Sequence, residues 1–194
     1  MYRAATELFV KLGYRGVDVV DITSRCGVSP GTFYNYYRNK RDLLDVILER
    51  TIDGLVSAAS GAGDVSTLVD RDAFVAEFEA RAYAVLDHVA NNAEVVSFVA
   101  FVAPGLDEAA YRTIFHGYQE LGAQFAALLS TGRRRGWVRE DVDVQIAGQV
   151  VVSCLAMAVM PMKDGATAEP FDAREVAAAC SSYLLFGGRT LLPE

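Results

Sequence analysis

Little in this chain points to covalent chemistry. Its 194 residues include three cysteines and two histidines. Cys26, Cys154 and Cys180 are odd in number, far apart and unmatched by any CxxC spacing. That pattern argues against a disulfide framework or a zinc knuckle and fits a reducing, cytoplasmic setting. His88 and His116 have no HExxH or HxxE partner, and Glu94 and Glu120 are near them in sequence only. The P-loop and the dinucleotide-binding glycine pattern are both missing. The expectation is a protein that is no enzyme and holds no cofactor or metal.

Other absences concern the fold. No strand-like alternation and no repeat of solenoid length is visible. The opening MYRAATELFVKLGY lacks the continuous apolar core of a signal peptide. One long uncharged run exists, VQIAGQVVVSCLAMAVMPM from Val144 to Met162. Gln145, Gln149 and Ser153 give one face of it a polar stripe and Pro161 interrupts it, so it reads as a buried helix and not as a membrane span. With 52% hydrophobic and 22% charged residues, the chain is expected to be globular.

Charge is unevenly spread. Residues 1–50 carry eight Lys or Arg against six Asp or Glu, while the whole chain has a net charge of −7. A mildly basic end on an acidic protein marks that end as the part that meets a polyanion.

Helical periodicity runs throughout. Ala4, Ala5, Leu8, Phe9 and Leu12 form a stripe that stops at Gly13. Val20 to Cys26 reads as a short second helix ending at Gly27. Ser29 stands at an N-cap position directly before Pro30, and a third helix is expected to run to about Tyr37. A fourth begins at Asn39 or Lys40 and continues through Leu55, with a break near residues 57–70. Further helices are expected over 72–91, 94–102, 107–135, 142–162 and 173–191.

Two short helices joined by Gly-Val-Ser have the size and chemistry of a helix-turn-helix. Gly27 supplies a positive φ and Val28 fills the angle between the helices. Phe33 and Tyr37 belong to the packed face of the second helix, and Thr32, Asn35 and Tyr36 to the opposite face. That outer face carries hydrogen-bonding groups and no charge. Tyr34 can reach a phosphate from the edge, and Lys40 adds charge for phosphate binding.

The run from Ala4 to Leu48, with Gly13-Tyr14, Val20, Ile22, Gly27-Val28-Ser29, Gly31-Thr32-Phe33-Tyr34, Tyr36-Tyr37, Lys40 and Leu43-Leu44, resembles the DNA-binding region of tetracycline-repressor-type (TetR) regulators. A weaker echo, Arg133 to Gly148, looks like the loop entering the family's penultimate helix. The resemblance implies an all-α fold: a three-helix helix-turn-helix domain over residues 1–48 and a larger ligand-binding and dimerisation domain over 49–194. It implies a homodimer joined through the last two helices, operator DNA as partner, and a small-molecule effector. Carried over by position, the base-facing residues are Pro30, Gly31, Thr32 and Asn35. The phosphate contacts are Thr23, Ser29, Tyr34, Tyr36 and Lys40. Members of the family also carry residues ahead of the position of Met1, including part of the first helix.

Aromatic residues crowd the middle helices, as expected of a mostly apolar pocket with a few polar anchors. The candidate lining residues are Phe78, Phe98, Phe101 and Met157, with Arg81, His88, Tyr118 and Gln149 as candidate anchors. They favour a small hydrophobic or aromatic effector, and family habit favours repression. The alternatives are an interaction protein that keeps the fold without binding DNA, and a small-molecule enzyme.

Overall fold

Apolar side chains at helical spacing, punctuated by glycine, build this molecule. A computed structural model describes residues 1–61, 63, 65–158 and 172–186, with the side chains of 158, 184 and 186 excepted. Every regular element among them is helical, with no strand. The elements are α1 (Tyr2–Leu12), α2 (Val19–Cys26), α3 (Pro30–Tyr34), α4 (Lys40–Ser60), α5 (Arg71–Asn91), α6 (Ala93–Ser97), α7 (Glu108–Arg134), α8 (Val144–Ala158) and α9 (Ala173–Phe186). The expected continuations at 159–162 and 187–191, with Pro161 and Gly187-Gly188, lie outside the described residues.

The chain divides into two compact units. One comprises Met1–Asp53 with Asn92–Ile114, the other Gly54–Asn91 with Phe115–Glu194. A single cut after residue 48 does not describe this division, because the segment around α6 clusters with the N-terminal helices.

In the first unit, Phe9, Val17, Ile22, Phe33, Leu43, Leu44, Ile47 and Leu48 form a buried core. Phe98, Val99, Ala103 and Ala110 join it, with the Phe98 ring 6.4 Å from Phe9. The helix expected over 94–102 is instead α6 followed by a π-helical turn, Phe98–Val102, and a 3-10 turn, Ala103–Gly105. Pro104, which has no N–H to offer, ends regular α-helix there.

α4 runs five residues beyond Leu55, through the small residues placed in a loop by sequence. Ala58 and Ala59 favour helix, and the Ser60 hydroxyl donates back to the Val56 carbonyl at 2.9 Å. Gly61 at φ 69° then turns the chain.

In the second unit, α5 packs against α9 and α8. Phe74, Phe78, Leu86, Phe125 and Leu128 are fully buried. Phe78 meets Phe125 at 5.7 Å, and Phe74 meets Trp137 at 5.8 Å. Arg135 lies over the Trp137 ring and donates to the carbonyls of Leu68 and Ser66. Arg133 donates to the Val142 carbonyl at 3.1 Å and Arg134 to the Thr131 hydroxyl at 3.0 Å. Arg133 and Arg135 thus staple the end of α7 to neighbouring chain, while Arg134 bonds within α7 itself. No single described helix is long and apolar enough to cross a membrane.

Candidate functional site

The helix-turn-helix is set by three local devices. Asp21 accepts from the Asp18 N–H at 2.7 Å, fixing the first turn of α2. Gly27 adopts the left-handed conformation, φ 67° and ψ 31°, and its N–H bonds the Ser24 carbonyl while the Val28 N–H reaches Thr23. Ser29 then caps α3, its hydroxyl accepting from the Thr32 N–H and lying 3.1 Å from the Thr32 hydroxyl.

Val28 does not fill the angle between α2 and α3 as expected. It is exposed, and Ile22 and Phe33 occupy the core beneath the turn. α3 is also shorter than expected. It stops at Tyr34, and the N–H groups of Tyr36 and Tyr37 both donate to the Phe33 carbonyl in a tight turn. The chain leaves helix there because α4 needs its own cap: Asn39 Oδ1 accepts from the Asp42 N–H at 2.9 Å.

The outward surface carries most of the side chains chosen for DNA. Tyr34 is 59% exposed and Tyr36 70%, while Ser29, Pro30, Gly31 and Asn35 are exposed and Thr32 half-exposed. A Cβ at Gly31 would meet only the Ser29 hydroxyl, at 3.7 Å, so its surface is open. Tyr37 instead lies against Phe33 at 5.4 Å. Two candidates have inward partners. Thr23 is buried, with its hydroxyl donating to the carbonyls of Val19 and Val20. Lys40 Nζ donates to the carbonyls of Tyr14 at 2.8 Å and Val17 at 2.5 Å and lies 4.4 Å from the Tyr14 ring centre. No spacing in the sequence signals such a clamp, since its acceptors are backbone carbonyls.

The effector candidates fall into separate groups. Phe98 and Phe101 belong to the first unit, Phe98 buried in its core and Phe101 exposed. In the second unit, Phe78 and Arg81 share α5; Arg81 is buried and pairs with Glu77 at 2.7 Å. Tyr118 and Gln149 are brought together. The Tyr118 hydroxyl donates to the Gln149 carbonyl at 3.0 Å and lies 2.5 Å from the Ser153 hydroxyl. The Gln149 amide donates to the Gln119 carbonyl at 3.3 Å, and its Oε1 is buried without a partner among the described residues. Met157 lies exposed on α8. The His88 ring fills the space above Gly54. Among the described residues, no three His, Cys, Asp or Glu side chains converge as a metal site would need.

Residues 2–47, which hold the whole helix-turn-helix, match the family model for bacterial regulatory proteins, tetR family. This N-terminal region is thus a tetR-family DNA-binding region by sequence. Two curated proteins are similar to the chain. It is 37% identical over 59 residues to the HTH-type transcriptional activator FasR of Mycolicibacterium smegmatis, covering 30% of this chain and 27% of that protein. It is 21% identical over 168 residues to the HTH-type transcriptional repressor DhaR of a Mycobacterium species, covering 86% of this chain and 82% of the relative. The fold is also that of the transcriptional regulator FadR from Bacillus subtilis, solved in complex with stearoyl-CoA. That likeness has a TM-score of 0.70 at 18% identity and covers 96% of both chains.

Proposed function

We propose that this chain is a TetR-type regulator, a homodimeric repressor whose α3 helices read two half-sites of an operator, and which a hydrophobic acyl effector releases. The outer face of α3 carries the reading. It joins an open backbone at Gly31 and the Thr32 side chain to Asn35 and Tyr36 in the turn that follows α3, hydrogen-bonding groups without charge. Asn35 can make a bidentate contact with adenine, worth about 1–3 kcal/mol, and Thr32 can meet a thymine methyl. Ser29, Tyr34 and Tyr36 offer hydroxyls to phosphates, and Pro30 shapes the approach. No arginine stands on this face, so guanine readout is weak and DNA shape contributes to specificity.

Dimerisation is supported by the outer surfaces of α8 and α9. Ile146, Val150 and Met157 leave an apolar stripe exposed on α8, and α9 exposes Ala178, Ala179 and Tyr183. Such a stripe is a penalty in water and an asset in a two-fold interface. An acyl effector is supported by the aromatic interior of the second unit and by the stearoyl-CoA complex of the FadR relative. Release requires only that the effector favour the conformation whose α3 helices miss the operator spacing, with a coupling of about 1–3 kcal/mol.

A gel shift on the DNA flanking the gene, titrated with stearoyl-CoA, tests the reading. Specific retardation that the acyl thioester abolishes is the expected result. Retardation that stearoyl-CoA leaves unchanged would refute the effector class, and no retardation would refute the operator.

A further inference from the structure

Most of the positive charge of the N-terminal unit has a partner within the chain. Eight Lys and Arg residues lie at or before Arg50. Arg25 pairs with Glu7, Arg38 with Asp42, and Arg41 with Asp45 and Asp107. Arg50 lies over the Tyr2 ring at 4.8 Å. Lys40 is turned inward. Arg3, Lys11 and Arg15 are exposed and have no ion pair among the described residues. Two of these, Lys11 and Arg15, flank the turn at Gly13.

Lys40 occupies a built position. An ammonium has three protons to donate, and two go to the carbonyls of Tyr14 and Val17. The Tyr14 ring beneath it is packed edge-on against the buried Phe9, with centres 5.2 Å apart. The two carbonyls are the ends of the segment Tyr14–Val17, so the start of α4 is tied to both sides of Arg15. A lysine held in this way has at most one proton left for a phosphate, and it cannot move away to follow one without leaving both carbonyls without their donor. A guanidinium at Arg15 is exposed and has a planar fork that suits phosphate oxygens.

We infer that Arg15 is a phosphate-binding residue of the operator interface and that Lys40 is the positioning residue that holds it. The inference rests on the operator-binding reading above. Its signature lies in salt dependence, since each phosphate contact adds about 0.9 to the slope of log affinity against log salt.

The test uses the full chain and a duplex selected from a random pool by the wild-type protein. Salt titrations are compared for Arg15→Ala, Lys40→Met and the double variant, beside melting of each free protein. Arg15→Ala is expected to lower the slope by about 0.9 per bound protomer with an unchanged Tm. Lys40→Met is expected to lower both the Tm and the slope, and the double variant to have the slope of either single. A double variant that loses about twice as much slope would overturn the inference, because it would show two independent phosphate contacts. An unchanged slope in Arg15→Ala would overturn the Arg15 assignment, and an unchanged Tm in Lys40→Met the clamp. If the wild type selects no duplex, the operator reading fails and the Arg15 assignment with it, while the Tm of free Lys40→Met still decides the clamp.

Discussion

Gly148 on α8 and Gly122 on α7 cross backbone against backbone. A Cβ added at Gly148 would overlap the Gly122 carbonyl oxygen and come within 3.0 Å of the Ala126 nitrogen. Backbone atoms cannot swing aside, so Gly148→Ala must separate the two helices. The expected loss is about 1–3 kcal/mol, read as a lower midpoint in urea. Gly122→Ala should cost less, because its Cβ would meet mainly the flexible end of Gln149. Equal losses in the two variants would contradict the crossing.

Tyr118 tests the polar seam beside that crossing. Tyr118→Phe removes the bonds to the Gln149 carbonyl and the Ser153 hydroxyl. The Ser153 hydroxyl lies 3.0 Å from the same carbonyl and can donate to it once Tyr118 no longer does, so the acceptor is not left alone. A loss of about 0.5–1.5 kcal/mol is expected by chemical denaturation. No loss would show that the hydroxyl is equally well solvated in the unfolded chain.

Ser29 tests the cap of α3. Ser29→Ala removes the side-chain cap of α3 and should lower stability by about 1 kcal/mol. Ser29→Gly should cost only a few tenths of that unit. Gly27→Ala is a different insult, since it forces a Cβ into φ 67° at about 1–2 kcal/mol. Thermal melts of the three variants should rank them with Ser29→Gly the most stable.

The pair between α1 and α2 gives a pH signature. The Arg25 guanidinium, by its hydrogen bond first and its charge second, holds the Glu7 carboxyl below its ordinary value. A carboxyl depressed in the folded state stabilises it above the ordinary carboxyl pKa. That contribution fades as pH falls through the depressed value. In Arg25→Ala the Glu7 carboxyl should titrate at its ordinary position by NMR. A Glu7 curve that ignores the substitution would remove the pair from the account.

Much of the recognition element was legible because its devices are local. Gly27, Ser29 and Pro30 act on their immediate neighbours, so their spacing announces the turn and the start of α3. The end of α3 was less legible, since Asn35 to Tyr37 are tolerable in helix and the cap at Asn39 decides otherwise. Partners distant in sequence left no trace. Nothing near Phe98 shows that it joins Phe9, and nothing near Lys40 shows that its acceptors are the carbonyls of Tyr14 and Val17. Tyr118 and Gln149 could be paired only as polar groups on apolar helices; their hydrogen bond depends on the close approach at Gly148.

The central claim is that the outer face of α3 and the turn that follows it read DNA, and selection from a random duplex pool tests it most directly. The wild-type protein and an Asn35→Ala, Tyr36→Ala variant would be taken through the same rounds. The account predicts that the wild type enriches a site with two related halves, while the variant, still folded by its melting curve, enriches none. Equal enrichment of the same site by both proteins, or of no site by either, would contradict it.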